Sequence, residues 1–93
     1  MQDKTHLHQS HGEIIKRLKR VDGHLGHVIA MLEEGHRCVD IAQQLHAVEK
    51  GICQAKRTLI QDHLDHCLEE ATKARAQGAS VSLEEFKEIT KYL

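Results

Sequence analysis

No proline interrupts the 93 residues, and from Cys38 onward Ile41, Leu45, Val48, Ile52, Ala55 and Leu59 recur at alternating spacings of four and three. That is the apolar stripe of an α-helix, and the same face continues through His63, Cys67 and Ala71. The pattern predicts a helix from about 38 to about 75, roughly 55 Å long at 1.5 Å per residue. So small a chain cannot cover a helix of that length by itself. Phe86 and Tyr92 are the only aromatics, so the core must be aliphatic. Stability is then expected from helix-to-helix assembly between copies of the chain.

Upstream, residues 1–9 are polar, carry His6 and His8, and read as a flexible arm. Ser10-His11-Gly12-Glu13 has the form of a capping box, with Ser10 as N-cap and Glu13 reaching back. Beyond it Ile14, Leu18, Val21, Leu25, Val28 and Leu32 form a second apolar stripe, which predicts a helix over about 10–34. Gly35 is its natural stop. Gly23 and Gly26 inside it cost about 1 kcal/mol each relative to alanine, which close backbone packing could offset. Downstream, Gly78 ends the long segment, and Ser82-Leu83-Glu84-Glu85 is a second capping box. It opens a short helix over about 83–92 with Leu83, Phe86, Ile89 and Leu93 as its apolar face. The expected class is all-α, three helices in one domain spanning 1–93.

Three cysteines is an odd number, the N-terminus leads into no apolar signal region, and nothing approaches a membrane-spanning run. A reducing cytoplasm fits best, where cysteines serve more often as ligands than as staples. The net charge of −1 predicts no partner. Any binding of nucleic acid must rest on a local patch.

Two clusters carry chemistry. On a helix, His63 and Cys67 stand one turn apart on one face and offer an imidazole and a thiol to a transition metal. Taken alone, such a pair is more often a surface histidine beside a small packed cysteine. Cys38 opens the same helix, about 37 Å from His63 along the axis, and cannot reach it within one straight helix. An antiparallel helix from a second copy would bring Cys38 beside His63 and Cys67, so a site using all three must bridge subunits. A fourth ligand could come from His6, His8, His11 or His66. Cys53 has no partner at helical spacing and reads as a packing residue; His24, His27, His36 and His46 read as surface or interface residues. The other cluster is Lys16-Arg17-Leu18-Lys19-Arg20, four cations around one apolar residue. A solvated face is its ordinary explanation, but repeated in a symmetric oligomer it makes a phosphate-binding surface. No helix-turn-helix is discernible, so reading of the major groove by a recognition helix is not expected. No phosphate loop, nucleophile elbow or Ser/His/Asp arrangement is present, which argues against an enzyme.

Arg17-Leu18-Lys19-Arg20-Val21-Asp22-Gly23-His24, Cys38-Val39-Asp40-Ile41, Gln43-Gln44-Leu45-His46-Ala47-Val48 and Asp62-His63-Leu64-Asp65-His66-Cys67 together resemble the CsoR/RcnR family of metal- and formaldehyde-responsive bacterial repressors, over nearly the whole chain. The resemblance implies an antiparallel four-helix-bundle dimer assembling into a disc-shaped tetramer. It also implies binding to operator DNA when metal-free and release by the effector, derepressing an exporter. Cys38, His63 and Cys67 match the trio that copper-responsive members use for Cu(I). Nickel-responsive members add an N-terminal histidine, and His6, 32 residues before Cys38, falls at the matching distance. Arg37 stands where copper members often carry tyrosine.

The donors agree with either reading. Two thiolates and one imidazole suit Cu(I), and a fourth nitrogen from His6 makes the N₂S₂ set of planar Ni(II). Zn(II) or Co(II) could take the same donors. The resemblance implicates Arg17 and Arg20 in DNA binding, and charge adds Lys16 and Lys19, a patch that Lys56 and Arg57 could extend. The reading is a cytoplasmic homotetrameric repressor released by Ni(II), with Cu(I) as alternative effector and a metal-buffering protein without DNA binding as the alternative of another class.

Overall fold

A computed structural model describes residues 10–76, 78 and 84–93. It contains three helices and, among the described residues, no strand: α1 (Ser10–Glu33), α2 (Cys38–Ala76) and α3 (Glu84–Thr90). The arm at 1–9, with His6 and His8, and the predicted cap at Ser82 and Leu83 lie outside the described residues.

α1 ends at Gly35 for a backbone reason. Gly35 adopts φ 76°, a left-handed conformation that an L side chain resists. From there the His36 amide donates to the Met31 carbonyl at 3.0 Å and the Gly35 amide to the Leu32 carbonyl at 3.2 Å. This paired closure satisfies carbonyls the helix would otherwise leave open. Within four residues the chain turns and α2 starts, its first turn closed by the Ile41 amide on the Arg37 carbonyl at 3.0 Å. Asp40 in the first turn and Lys73 and Arg75 in the last complement the helix dipole.

The short connection makes α1 and α2 an antiparallel pair, and three cross-links fix their register. His24 pairs with Gln44 (Nε2 to Oε1, 2.6 Å), Val21 faces Gly51, and the Ser10 hydroxyl donates to Asp62 Oδ2 at 2.8 Å. Position falls along α1 as it rises along α2. Val28, Met31, Ile41 and Val48 form the core, with Val21 packed against it.

The two sequence stripes are each divided by the fold. On α1, Ile14 and Val28 are buried and Val21 half-buried, while Leu18, Leu25 and Leu32 remain exposed. On α2, Ile41, Val48 and Ala55 are buried, while Leu45, Ile52 and Leu59 remain exposed. Each subset repeats every seven residues, so one heptad series closes the hairpin and the other is left as an uncovered apolar seam. Ile15 and Ile29 widen that seam. The slab measures 63 × 33 × 14 Å, about one helix diameter thick. A single layer of helices cannot bury both series.

Two expectations change. Ser10 is the first helical residue of α1, and its hydroxyl is spent on Asp62 across the hairpin rather than on a local cap. Within the chain Gly23 and Gly26 are not offset by close packing: a Cβ at either would meet nothing within 4 Å, whereas one at Gly51 would sit 2.7 Å from Val21 Cγ2. The tight helix contact is therefore made by the glycine of α2.

Candidate metal centre

His63 and Cys67 lie one turn apart on the α2 face that α3 covers, and both are half-buried. The helical spacing delivers what it promised, an imidazole and a thiol side by side. Past the end of α2, Gly78 adopts φ 76° and its amide closes on the Arg75 carbonyl at 3.0 Å. α3 then returns against the end of α2 and brings Glu85 with it. One ligand atom each from His63, Cys67 and Glu85 lies within 4.8 Å of the others. His63 Nε2 is 4.0 Å from Glu85 Oε1, too far for a hydrogen bond. His63, Glu85, Glu88, Ile89 and Tyr92 line an open cleft of about 270 Å³.

Burial and a neighbouring carboxylate set the electrostatics of the cluster. Burial pushes the Cys67 thiol above its ordinary value of 9.0, and the Glu85 carboxylate pushes it further. A bound cation reverses both influences, because it stabilises the thiolate and neutralises the carboxylate. Imidazole, thiolate and carboxylate together suit a borderline divalent ion.

Glu85 was not among the residues the sequence singled out, where it reads as the acid of a capping box. Its place beside His63 and Cys67 depends on α3 folding back over α2, which periodicity does not encode. Cys38 is placed as the helix length required: exposed at the opposite end of α2 and outside the cluster. Among the described residues, His11 and His66 also stand outside it. Cys53 is half-buried, in keeping with packing, and His27, His36 and His46 are exposed. His24 is half-buried and engaged by Gln44. The ligand expected at His6 lies outside the described residues.

The basic cluster is open. Lys16, Lys19 and Arg20 are exposed and Arg17 is half-buried, and among the described residues none of the four is ion-paired. They form a local positive surface on a chain whose total charge is −1.

The sequence model of a family described as metal-sensitive transcriptional repressor matches residues 10–93. This chain belongs to that family. The match confirms the CsoR/RcnR resemblance, and members of the family are transcriptional repressors rather than enzymes. A copper-sensing transcriptional repressor CsoR of Bacillus subtilis is 37% identical over 93 residues, covering 95% of this chain and 92% of that one. The copper-sensing repressor RicR of Mycobacterium tuberculosis is 34% identical over 70 residues, covering 75% and 73%. Among solved structures, the nickel-responsive transcriptional regulator InrS superposes with a TM-score of 0.69 at 27% identity, covering 94% of this chain and 92% of that one. The three-helix, all-α architecture is therefore the family's. No helix of the described residues is long and apolar enough to cross a membrane.

Proposed function

We propose that this metal-sensitive repressor is a cytoplasmic homotetramer that holds operator DNA when metal-free and is released by Ni(II), derepressing a metal exporter. The whole chain, 1–93, acts as one metal-sensing and DNA-binding domain. The observation that carries the reading is the placement of the donors on α2. His63 and Cys67 face the same way at one end, and Cys38 is exposed at the other. Only a second copy, running antiparallel, can bring Cys38 to the pair. The uncovered seam of Leu18, Leu25, Leu32, Leu45, Ile52 and Leu59 supplies the surface for that copy, as in a four-helix bundle.

The ion supplies a cross-link between subunits. The protein's own part is to hold the two halves of the donor set on different chains, so that occupation favours one arrangement of helices. Arg17, Arg20, Lys16 and Lys19, all on α1, then change their spacing across the assembly and lose their match to phosphates. A coupling of 1–3 kcal/mol changes DNA affinity about 5- to 150-fold. His6 supports Ni(II), because a second nitrogen completes N₂S₂, and Arg37 in place of an aromatic agrees with it. Copper is the second reading, favoured by the copper-sensing function of the relative at 37% identity.

The test is a binding assay with DNA flanking the gene, under anaerobic conditions. Apo-protein should bind in a salt-dependent manner and be released by Ni(II) with thiolate-to-nickel charge-transfer bands that weaken in His6→Ala. Release by Cu(I) alone moves the assignment to copper. Failure of the apo-protein to bind any such DNA overturns the repressor mechanism and leaves metal buffering.

A further inference from the structure

We propose that Glu85 of α3 is a metal ligand, and that His63, Cys67 and Glu85 form a site for a tetrahedral divalent cation, Zn(II) or Co(II), within a single chain. The proposal deepens the metal centre described above and rests on the reading that this centre binds metal. It gives the centre a second way to be filled, one that needs no residue from another subunit.

Distance is the first argument. Two donors on a tetrahedral ion at bond lengths of about 2.0–2.3 Å stand roughly 3.3–3.8 Å apart. The three donor atoms here lie within 4.8 Å of one another, so each need close by only about an ångström. The Glu85 side chain is 82% exposed and can supply that movement by rotation, whereas His63 is 24% exposed and held by its surroundings. Ligand chemistry is the second argument. A carboxylate is a hard donor suited to Zn(II) and Co(II) and poorly suited to Cu(I). Glu85 therefore discriminates between ions that His63 and Cys67 alone would both accept. The fourth tetrahedral position is left to water or to Cys38 of another copy.

The third argument concerns α3. It has seven residues and none is buried; Phe86, Ile89 and Thr90 are half-buried. So little apolar burial leaves α3 weakly anchored on α2. A bond from Glu85 through the ion to His63 and Cys67 fastens it. Glu88, which lines the same cleft, stands outside the three-donor cluster and serves as the control.

The experiment titrates the full-length protein anaerobically with Co(II) and, separately, with Cu(I) against a competing chelator. The variants are Glu85→Gln, Glu88→Gln, Cys38→Ser and the pair Cys38→Ser with Glu85→Gln. Cys38→Ser should still bind Co(II) with the strong visible bands of a four-coordinate ion and with one thiolate's charge-transfer intensity. Glu85→Gln should weaken Co(II) binding at least tenfold in both backgrounds and leave Cu(I) affinity within about twofold. Glu88→Gln should change neither. Hydrogen exchange should show α3 amides gaining protection with Co(II) in the wild type and not in Glu85→Gln. Wild-type Co(II) affinity in Glu85→Gln, or complete loss of Co(II) binding in Cys38→Ser, overturns the proposal. DNA release is measured apart from these titrations, so failure of the repressor mechanism shows itself separately.

Discussion

Ser10 and Asp62 are joined by a 2.8 Å hydrogen bond from the serine hydroxyl to the carboxylate. The first residue of α1 is thereby tied to the residue that precedes His63. At the open end of the hairpin this bond holds the start of α1 beside the end of α2 that carries His63 and Cys67.

Ser10→Ala should therefore act twice. Loss of a half-buried hydrogen bond to a charged acceptor should cost about 1.5–3 kcal/mol in urea unfolding of the apo-protein. Ni(II) affinity should also fall, because the arm loses its anchor, while Cu(I) binding by Cys38, His63 and Cys67 holds. Equal weakening for both metals would break the connection between this tether and His6.

Glycine substitutions should differ in sign. Gly51→Ala places a methyl 2.7 Å from Val21 Cγ2. Valine has a restricted rotamer, so the helices must separate, at a cost of about 1–3 kcal/mol. Gly23→Ala and Gly26→Ala meet nothing within 4 Å and should each stabilise α1 by up to about 1 kcal/mol. Thermal unfolding of the three variants side by side measures the contrast.

What the sequence revealed and what it hid divide along physical lines. Helix extents and the stop at Gly35 were legible, because 3.6-residue periodicity and a left-handed glycine are local properties. The joint facing of His63 and Cys67 was legible for the same reason, as was the isolation of Cys38, which follows from helix length alone. The division of each stripe into a buried and an uncovered heptad series was not, since it depends on where α1 lies against α2. Glu85 was hidden more deeply, because it comes near His63 only where α3 packs back on α2. Ser10 illustrates the opposite error: its local cap pattern was plain, yet a tertiary acceptor took its hydroxyl.

The uncovered seam makes a sharp prediction. Leu25→Glu or Ile52→Glu places a charge among exposed leucines and isoleucines that the hairpin itself does not use. Sedimentation should show the assembly shifted to smaller species, with far-ultraviolet dichroism falling only as far as subunit separation uncovers the helices. Val28→Glu, at a position only 1% exposed, should instead unfold the hairpin itself. If Leu25→Glu and Ile52→Glu leave the assembly intact, the subunits meet on another face.

Thiol titration carries the pH dependence. Cys67 is raised by burial and then by Glu85, so the folded state favours the neutral thiol. The associated stability is present below 9.0 and is lost as pH rises through the folded value. In a Cys38→Ser, Cys53→Ser background, thiolate absorbance should titrate above 9.0, and Glu85→Gln should lower the midpoint. Because metal binding displaces the thiol proton, affinity should climb with pH across the neutral range.

DNA binding should rest on four cations that are free of carboxylate partners among the described residues: Lys16, Arg17, Lys19 and Arg20. Each that meets a phosphate contributes about one counterion to the salt dependence. Arg17→Ala with Arg20→Ala should weaken apo-protein binding and flatten the slope of log affinity against log salt, by about one for each phosphate no longer neutralised. The metal titrations should be untouched, because the patch lies on α1 and the His63, Cys67 and Glu85 cluster lies on α2 and α3. Lys56→Ala with Arg57→Ala, also exposed but on α2, is the comparison. A slope that falls equally for that pair would mean the surface touching DNA extends across both helices.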